Sequence, residues 1–132
     1  MDEIRPGLVG RSILTVTGDD TAKAMGSGEL PVFATPALVA LMENAAVNAL
    51  ADHLPEGATT VGAHITVDHI APTPVGMAVS ATATLVETSG NHFTFDITAS
   101  DEKGEIGRAW HRRVAVQTER FMKKVSEKQQ GE

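Results

Sequence analysis

PVFATPALVALMENAAVNAL, residues 31–50, is the one convincing helix of the chain, and its reading decides the fold. Thr35 is a good N-cap and Pro36 sits at the first helical position, where the missing N–H costs nothing, so the start is well defined. At 100° per residue, Leu38, Val39, Met42, Ala45, Ala46, Ala49 and Leu50 fill one broad arc, with Asn44, Asn48 and Asp52 opposite. Glu43 falls at the edge of that arc, between Leu50 and Val47 and away from the polar side. An unpaired carboxylate there either shifts its pKa upward, as general bases and acids do, or snorkels to water as a plain rim glutamate.

Working outward, residues 12–17 (SILTVT) are alternating and β-branched and read as an opening strand. A loop punctuated by Gly26-Ser27-Gly28 separates it from the helix. The Pro55-Glu56-Gly57 turn ends the helix, and residues 59–70 then alternate with Val61, Ala63, Ile65, Val67 and His69 on one face. Pro72 and Pro74 break that strand, and residues 77–87, 91–100 and 105–118 supply three more, joined by Ser89-Gly90-Asn91 and by 101–104. From about residue 122 the chain is a polar, charged tail expected to fray. One strand, one long helix and four strands on short connections predict an α+β hot-dog fold, an antiparallel sheet of about five strands wrapped around one long central helix. Doubly wound architectures need several crossover helices and compete poorly.

The composition narrows the chemistry. At 132 residues the chain reads as a single domain over 1–132, small enough that a site is readily shared with a second copy. Apolar residues make up 42% but aromatics only 4%, so Ala, Val, Leu and Ile must build the core. With no Cys, disulfides, thiolate metal sites and a cysteine nucleophile are excluded. A formal charge of −6 argues against a nucleic-acid or anionic-membrane partner. No basic start precedes an apolar run and no stretch approaches ~18 apolar residues, so a cytoplasmic protein is the default expectation.

Three groups are expected to converge at the helix and the face it packs on: Thr35, Glu43 and His69. A hydroxyl at a helix N-terminus sits beside unpaired N–H groups and the positive dipole end, suited to an oxyanion, although a structural cap is its commoner role. His69 shares parity with apolar residues, as core histidines do, yet stands at a strand end beside a Pro-bounded loop where imidazole could transfer protons. Thr35 and Glu43 lie roughly 12 Å apart along the helix, too far for a direct bond, so His69, a water, a substrate or a second subunit has to bridge them. His64 and His69 are expected on opposite strand faces and His53, His92 and His111 lack ligand-spaced partners, so no metal site is predicted. Arg108, Arg112, Arg113, Lys123 and Lys124 could meet phosphates or form a solvated strand end.

At these residues the chain resembles the fluoroacetyl-CoA thioesterase group of hot-dog thioesterases. The resemblance rests on Val32-Phe33-Ala34-Thr35, on Leu41-Met42-Glu43-Asn44-Ala45, and on Gly62-Ala63-His64-Ile65-Thr66-Val67-Asp68-His69 followed by Ile70-Ala71-Pro72-Thr73-Pro74-Val75-Gly76. It runs on through Glu105-Ile106-Gly107 and His111-Arg112-Arg113 to Phe121, from about residue 7. It implies Thr35, Glu43 and His69 as the catalytic set, with the glycine near the thioester at Gly62. Phe33, Leu30, Arg112 and Arg113 join Gly62 as substrate-binding candidates. Leu30 stands where the fluoroacetyl-specific enzyme has a phenylalanine gate, Asn44 replaces a tryptophan and Pro36 a glycine, which implies weak discrimination among small acyl groups.

The expectation is therefore a thioesterase for small or short acyl-CoA, a homodimer or dimer of dimers with a shared site. It needs no cofactor beyond the coenzyme A of its substrate. The rivals are a hydratase or dehydratase on the same fold and a non-catalytic acyl or small-ligand binding module. The first needs an acid/base pair that Asp68 and His69, facing apart, do not supply; the second gains if Glu43 has a structural partner. Glu43→Gln is expected to leave stability unchanged or raised.

Overall fold

The computed structural model of the protein describes residues 4–130. Its elements are β1 (Val9–Thr15), α1 (Ala22–Met25), α2 (Thr35–Leu50), β2 (Ala58–His69), β3 (Ala78–Ser89), β4 (His92–Asp101), β5 (Gly104–Gln117) and α3 (Thr118–Gln129). The five strands form one antiparallel sheet in the order β1-β3-β4-β5-β2. β1 and β2 are thus opposite edges, and the chain segment between them, carrying α2, crosses the whole inner face. That crossing is the helix-in-sheet arrangement the sequence predicts.

Burial follows the two periodicities. Leu38, Met42, Ala45, Ala46 and Leu50 of α2 are 0% exposed, and alternate residues Val79, Ala81, Ala83 and Leu85 of β3 and Phe95, Ile97 and Ala99 of β4 meet them. Alanines on α2 let the helix lie close to the sheet. The contact is tightest at Gly10, where a Cβ would run into the main chain of Ala45 and Ala49, so only glycine fits. The polar side of α2 is not simply solvated: Asn48 Nδ2 donates to the Arg11 carbonyl at 2.7 Å and Ser12 Oγ to Asn44 Oδ1 at 2.8 Å, pinning edge strand β1 to the helix.

Three expectations change. Residues 118–129 form a helix, with Arg120 N–H capped by Gln117 Oε1 at 2.7 Å, where a fraying tail was expected from about 122; residues 131–132 lie outside the described residues, as do 1–3. The loop before α2 contains α1, closed by Gly26 in the left-handed region at φ 71°. It returns antiparallel to itself through Ala22 N–H to Val32 O at 2.9 Å and Lys23 N–H to Leu30 O at 3.1 Å. The third change concerns β2. Gly62 pairs with Arg113 but His64 with Arg112, so Ala63 is a bulge and the alternation reverses there. Gly62, not Val61 or Ala63, shares the inner face with Ile65, Val67 and His69. Among the described residues no helix is long and apolar enough to cross a membrane.

Candidate active site

The first cluster forms where α2 begins. Ala34, extended at φ −77° and ψ 144°, is the N-cap, and Thr35 is the first helical residue with Pro36 second. The expected capping role of Thr35 is therefore corrected, and the reason is register: its side chain is not committed to an N–H of the first turn. Instead Thr35 Oγ1 lies 2.8 Å from Nδ1 of His69. Extended backbone ahead of the helix delivers it there, through Phe33 N–H to Thr73 O and Ala34 N–H to Asp20 O, both 2.9 Å. Phe33, 1% exposed, sets its ring edge-on to His69 with centroids 6.3 Å apart.

Burial pushes the His69 imidazole below its ordinary pKa, with the Ala71 main chain opposing the shift. A neutral ring whose Nδ1 accepts from Thr35 carries its proton on Nε2, which is buried and has no well-formed hydrogen bond among the described residues. Thr35, His69, Phe33, Val32, Ile70 and Ser27 line an open pocket of about 310 Å³. Leu30 is not in its lining; it is 65% exposed on the approaching segment. Pro36 has no N–H, so the amides of Thr35 and Ala37 are the first-turn donors available to a substrate oxygen.

The second cluster lies further along α2. Glu43 Oε2 accepts from Arg113 Nη1 at 3.1 Å and stands 3.7 Å from His111 Nε2. Its side chain is 38% exposed, so it is neither the unpaired buried carboxylate nor the free rim glutamate of the two sequence readings. Gly62 faces this carboxylate so closely that a Cβ would overlap Oε2. Arg113 Nε donates to Thr60 Oγ1 at 2.9 Å and Nη2 to the Thr60 carbonyl at 3.1 Å. His111 Nδ1 lies 2.7 Å from the His64 carbonyl, beside the bulge.

The bulge is thus what brings both clusters to one side of β2. Without the reversal at Ala63, Gly62 and His69 would face apart. Thr35 and His69 meet directly, as do Glu43 and Gly62, but Glu43 is not bonded to either member of the first pair. Arg113 is corrected as a phosphate binder, because its side chain is 8% exposed and all three guanidinium nitrogens are engaged inside the sheet. Arg112 is exposed on the outer face, and Arg108 is occupied by Glu105 at 3.0 Å.

His111 and Arg113 are the residues that the sequence reading missed as partners of Glu43. The signal was their parity: on β5 they alternate in step with Gly107 and Ala109, two polar side chains on an otherwise buried face. Asp68 is exposed while His69 faces inward, so the acid/base pair a hydratase needs is absent there.

Comparison with known proteins places the chain as a whole. A family model described as fluoroacetyl-CoA-specific thioesterase matches residues 16–119. The fluoroacetyl-CoA thioesterase of Streptantibioticus cattleyicolor is 40% identical over 97 residues, 74% of this chain and 70% of that protein. A crystal structure of a mutant of the fluoroacetyl-CoA-specific thioesterase superposes with a TM-score of 0.90 at 33% identity, covering 97% of this chain and 99% of that one. A thioesterase superfamily member from Thermus thermophilus gives 0.89 at 27% identity, over 100% of both chains. The likeness thus holds over most of the chain both in sequence and in the shape of a sheet curled around one helix, and the chain belongs to the fluoroacetyl-CoA-specific thioesterase family.

Proposed function

We propose that this thioester hydrolase acts on small acyl-CoA thioesters, with Thr35 as nucleophile and His69 as its base. The observation that carries the reading is the 2.8 Å contact between Thr35 Oγ1 and Nδ1 of the half-buried His69, both in the lining of an open pocket. Thr35 Oγ attacks the thioester carbon as its proton passes to Nδ1. The oxygen anion that forms faces the first-turn amides of Thr35 and Ala37. Collapse expels the coenzyme A thiolate, which takes the proton back from His69 and leaves acyl-Thr35. Water, deprotonated by His69, then releases the acid and restores the hydroxyl. Glu43, held by Arg113 at one oxygen, has Oε1 unbonded among the described residues beside Gly62, and orients that water or the thioester where a second subunit carries it to the Thr35–His69 pair.

Further readings rest on the same pocket. Phe33 forms its apolar wall and Leu30 its approach, without a ring to close over the acyl group. Arg112, exposed beside edge strand β2, is the arginine left to meet phosphate. The chain needs no cofactor of its own, works as a homodimer or a dimer of dimers and resides in the cytoplasm. Crystallised relatives include the fluoroacetyl-CoA-specific thioesterase mutant in complex with fluoroacetate and CoA, at 32% identity and a TM-score of 0.84 over 89% of this chain and 99% of that one.

The test is Thr35→Ala assayed by free-thiol release from acetyl-, propionyl- and fluoroacetyl-CoA. Loss of the nucleophile and its proton relay is expected to lower kcat by roughly 10²–10⁴. A variant within about threefold of wild type would remove Thr35 from the reaction. An inactive wild type on every acyl-CoA would favour the ligand-binding reading, for which the Glu43–Arg113 pair is the structural partner.

A further inference from the structure

Hydrolysis through Thr35 and His69 makes no use of one buried ionisable side chain, His111, which is 1% exposed at the centre of β5. Its Nδ1 is 2.7 Å from the His64 carbonyl, and a carbonyl oxygen only accepts, so Nδ1 carries a proton. A neutral ring then has a bare Nε2, which accepts from Arg113 Nη1 at 3.2 Å. The other hydrogen of Nη1 goes to Glu43 Oε2 at 3.1 Å. Because Thr60 takes Nε and one hydrogen of Nη2, all three guanidinium nitrogens are engaged, and His111 supplies the second acceptor of Nη1.

We infer that His111 is a positioning residue for the thioesterase, tying Arg113, and through it the Glu43 carboxylate, to the β2 bulge beside Gly62. Only one tautomer can do this. An imidazolium would turn Nε2–H against Arg113 Nη1–H and would draw Glu43, 3.7 Å away, to itself. The charged or titratable groups facing the ring are Arg113 on its own strand, Glu43 from α2 and His64 from β2; β4 contributes the uncharged Phe95 ring at 6.4 Å. Burial and the Arg113 charge both favour the neutral ring. Glu43 Oε1 is thereby left free on a carboxylate whose other oxygen cannot swing. The inference rests on the thioesterase reading above.

Two amide substitutions separate the two hydrogen bonds of His111. In His111→Gln the amide reaches the place of Nε2, and its oxygen accepts from Arg113. In His111→Asn it reaches only the place of Nδ1, keeping the His64 bond and leaving Arg113 Nη1 without an acceptor. With acetyl-CoA as substrate, His111→Asn is expected to lower kcat by roughly 10–100-fold with KM within about threefold, the scale of one hydrogen bond to a charged group. His111→Gln is expected to stay within about fivefold of wild type, although both variants lose ring packing and melt earlier. Equal kcat in the two variants, or kcat that only tracks melting temperature, overturns the proposal. The ¹⁵N spectrum of wild type should show Nδ1–H with bare Nε2 at pH 7; the opposite tautomer or an imidazolium also overturns it. Should wild type hydrolyse no acyl-CoA, the thioesterase reading fails instead. The hold on Arg113 is then decided by that spectrum and by its guanidinium ¹⁵N signals, expected to move in His111→Asn and to stay in His111→Gln.

Discussion

Thr35 stands at the first position of α2 and not before it, and that single step of register frees its hydroxyl for His69. Glu43 shows the opposite kind of revision. Read alone on its helix, it promised stability unchanged or raised on conversion to glutamine. Its pairing with a buried guanidinium reverses that sign, because Glu43→Gln leaves Arg113 without a counter-charge. The variant is expected to lose most turnover and about 1–3 kcal/mol of stability, discounted from a fully buried pair by the partial exposure of the carboxylate. Denaturant midpoints alongside thiol release check both, and near-wild-type turnover would remove Glu43 from the reaction. The histidines set the pH response. Burial holds His69 and His111 below the ordinary value of 6.5, so between that value and their folded-state pKa the unfolded chain binds more protons. Stability is therefore present above about pH 6.5 and falls as pH is lowered through that window. kcat/KM should fall on the acid side with an apparent pKa below 6.5, read on the free enzyme. An acid limb above that value would assign it to some other group.

At the scale of elements, α2 was legible because an early Pro and the 3.6-residue spacing of Leu38, Met42, Ala45, Ala49 are local properties. β2 was legible in extent but not in facing. A clean alternation through Val61 and Ala63 carries no mark of the bulge, which exists only because Gly62 and His64 find neighbouring partners on β5. Arg113 was misread for a related reason: its partner Glu43 lies 70 residues away and no spacing rule connects them. α3 was missed because a polar, amphipathic segment with no buried residue reads as readily as a solvated tail. The crossing of α2 over β1 yields a direct test. Gly10→Ala places a methyl group against the Ala45 and Ala49 main chain, which cannot move aside as a flexible side chain would. It is expected to destabilise by about 1–3 kcal/mol, or to prevent folding, without touching the Thr35–His69 pair. A midpoint unchanged within about 0.5 kcal/mol would mean that the helix and strand are less closely apposed than they stand here.

For the whole molecule, the separation of the two clusters is the fact that remains to be explained. Thr35 with His69 and Glu43 with Gly62 lie about two helical turns apart on α2, and no side chain of the same subunit bridges them among the described residues. Between them runs the edge strand β2, with Gly62, Ala63 and His64 exposed and its outer main-chain groups unpaired within the sheet, and Val47 of α2 stands 37% exposed. An open edge of this kind is either protected or paired. The shared-site reading is that a two-fold partner seats there with its own Glu43 cluster over the Thr35–His69 pair of the first subunit, so that each site draws on both chains. Mixing two inactive variants decides it. In a heterodimer of Thr35→Ala and Glu43→Gln subunits, a shared arrangement leaves one site with an intact threonine from one chain and an intact glutamate from the other. The second site carries both lesions. Random reassembly of equal amounts makes about half of the dimers hybrid, each with one working site of two, so turnover should recover to about a quarter of wild type. If each site instead uses Thr35 and Glu43 of a single chain, every site in the mixture carries a lesion. A reassembled mixture, shown by mass to contain the hybrid dimer yet no more active than its parents, would end the shared-site reading.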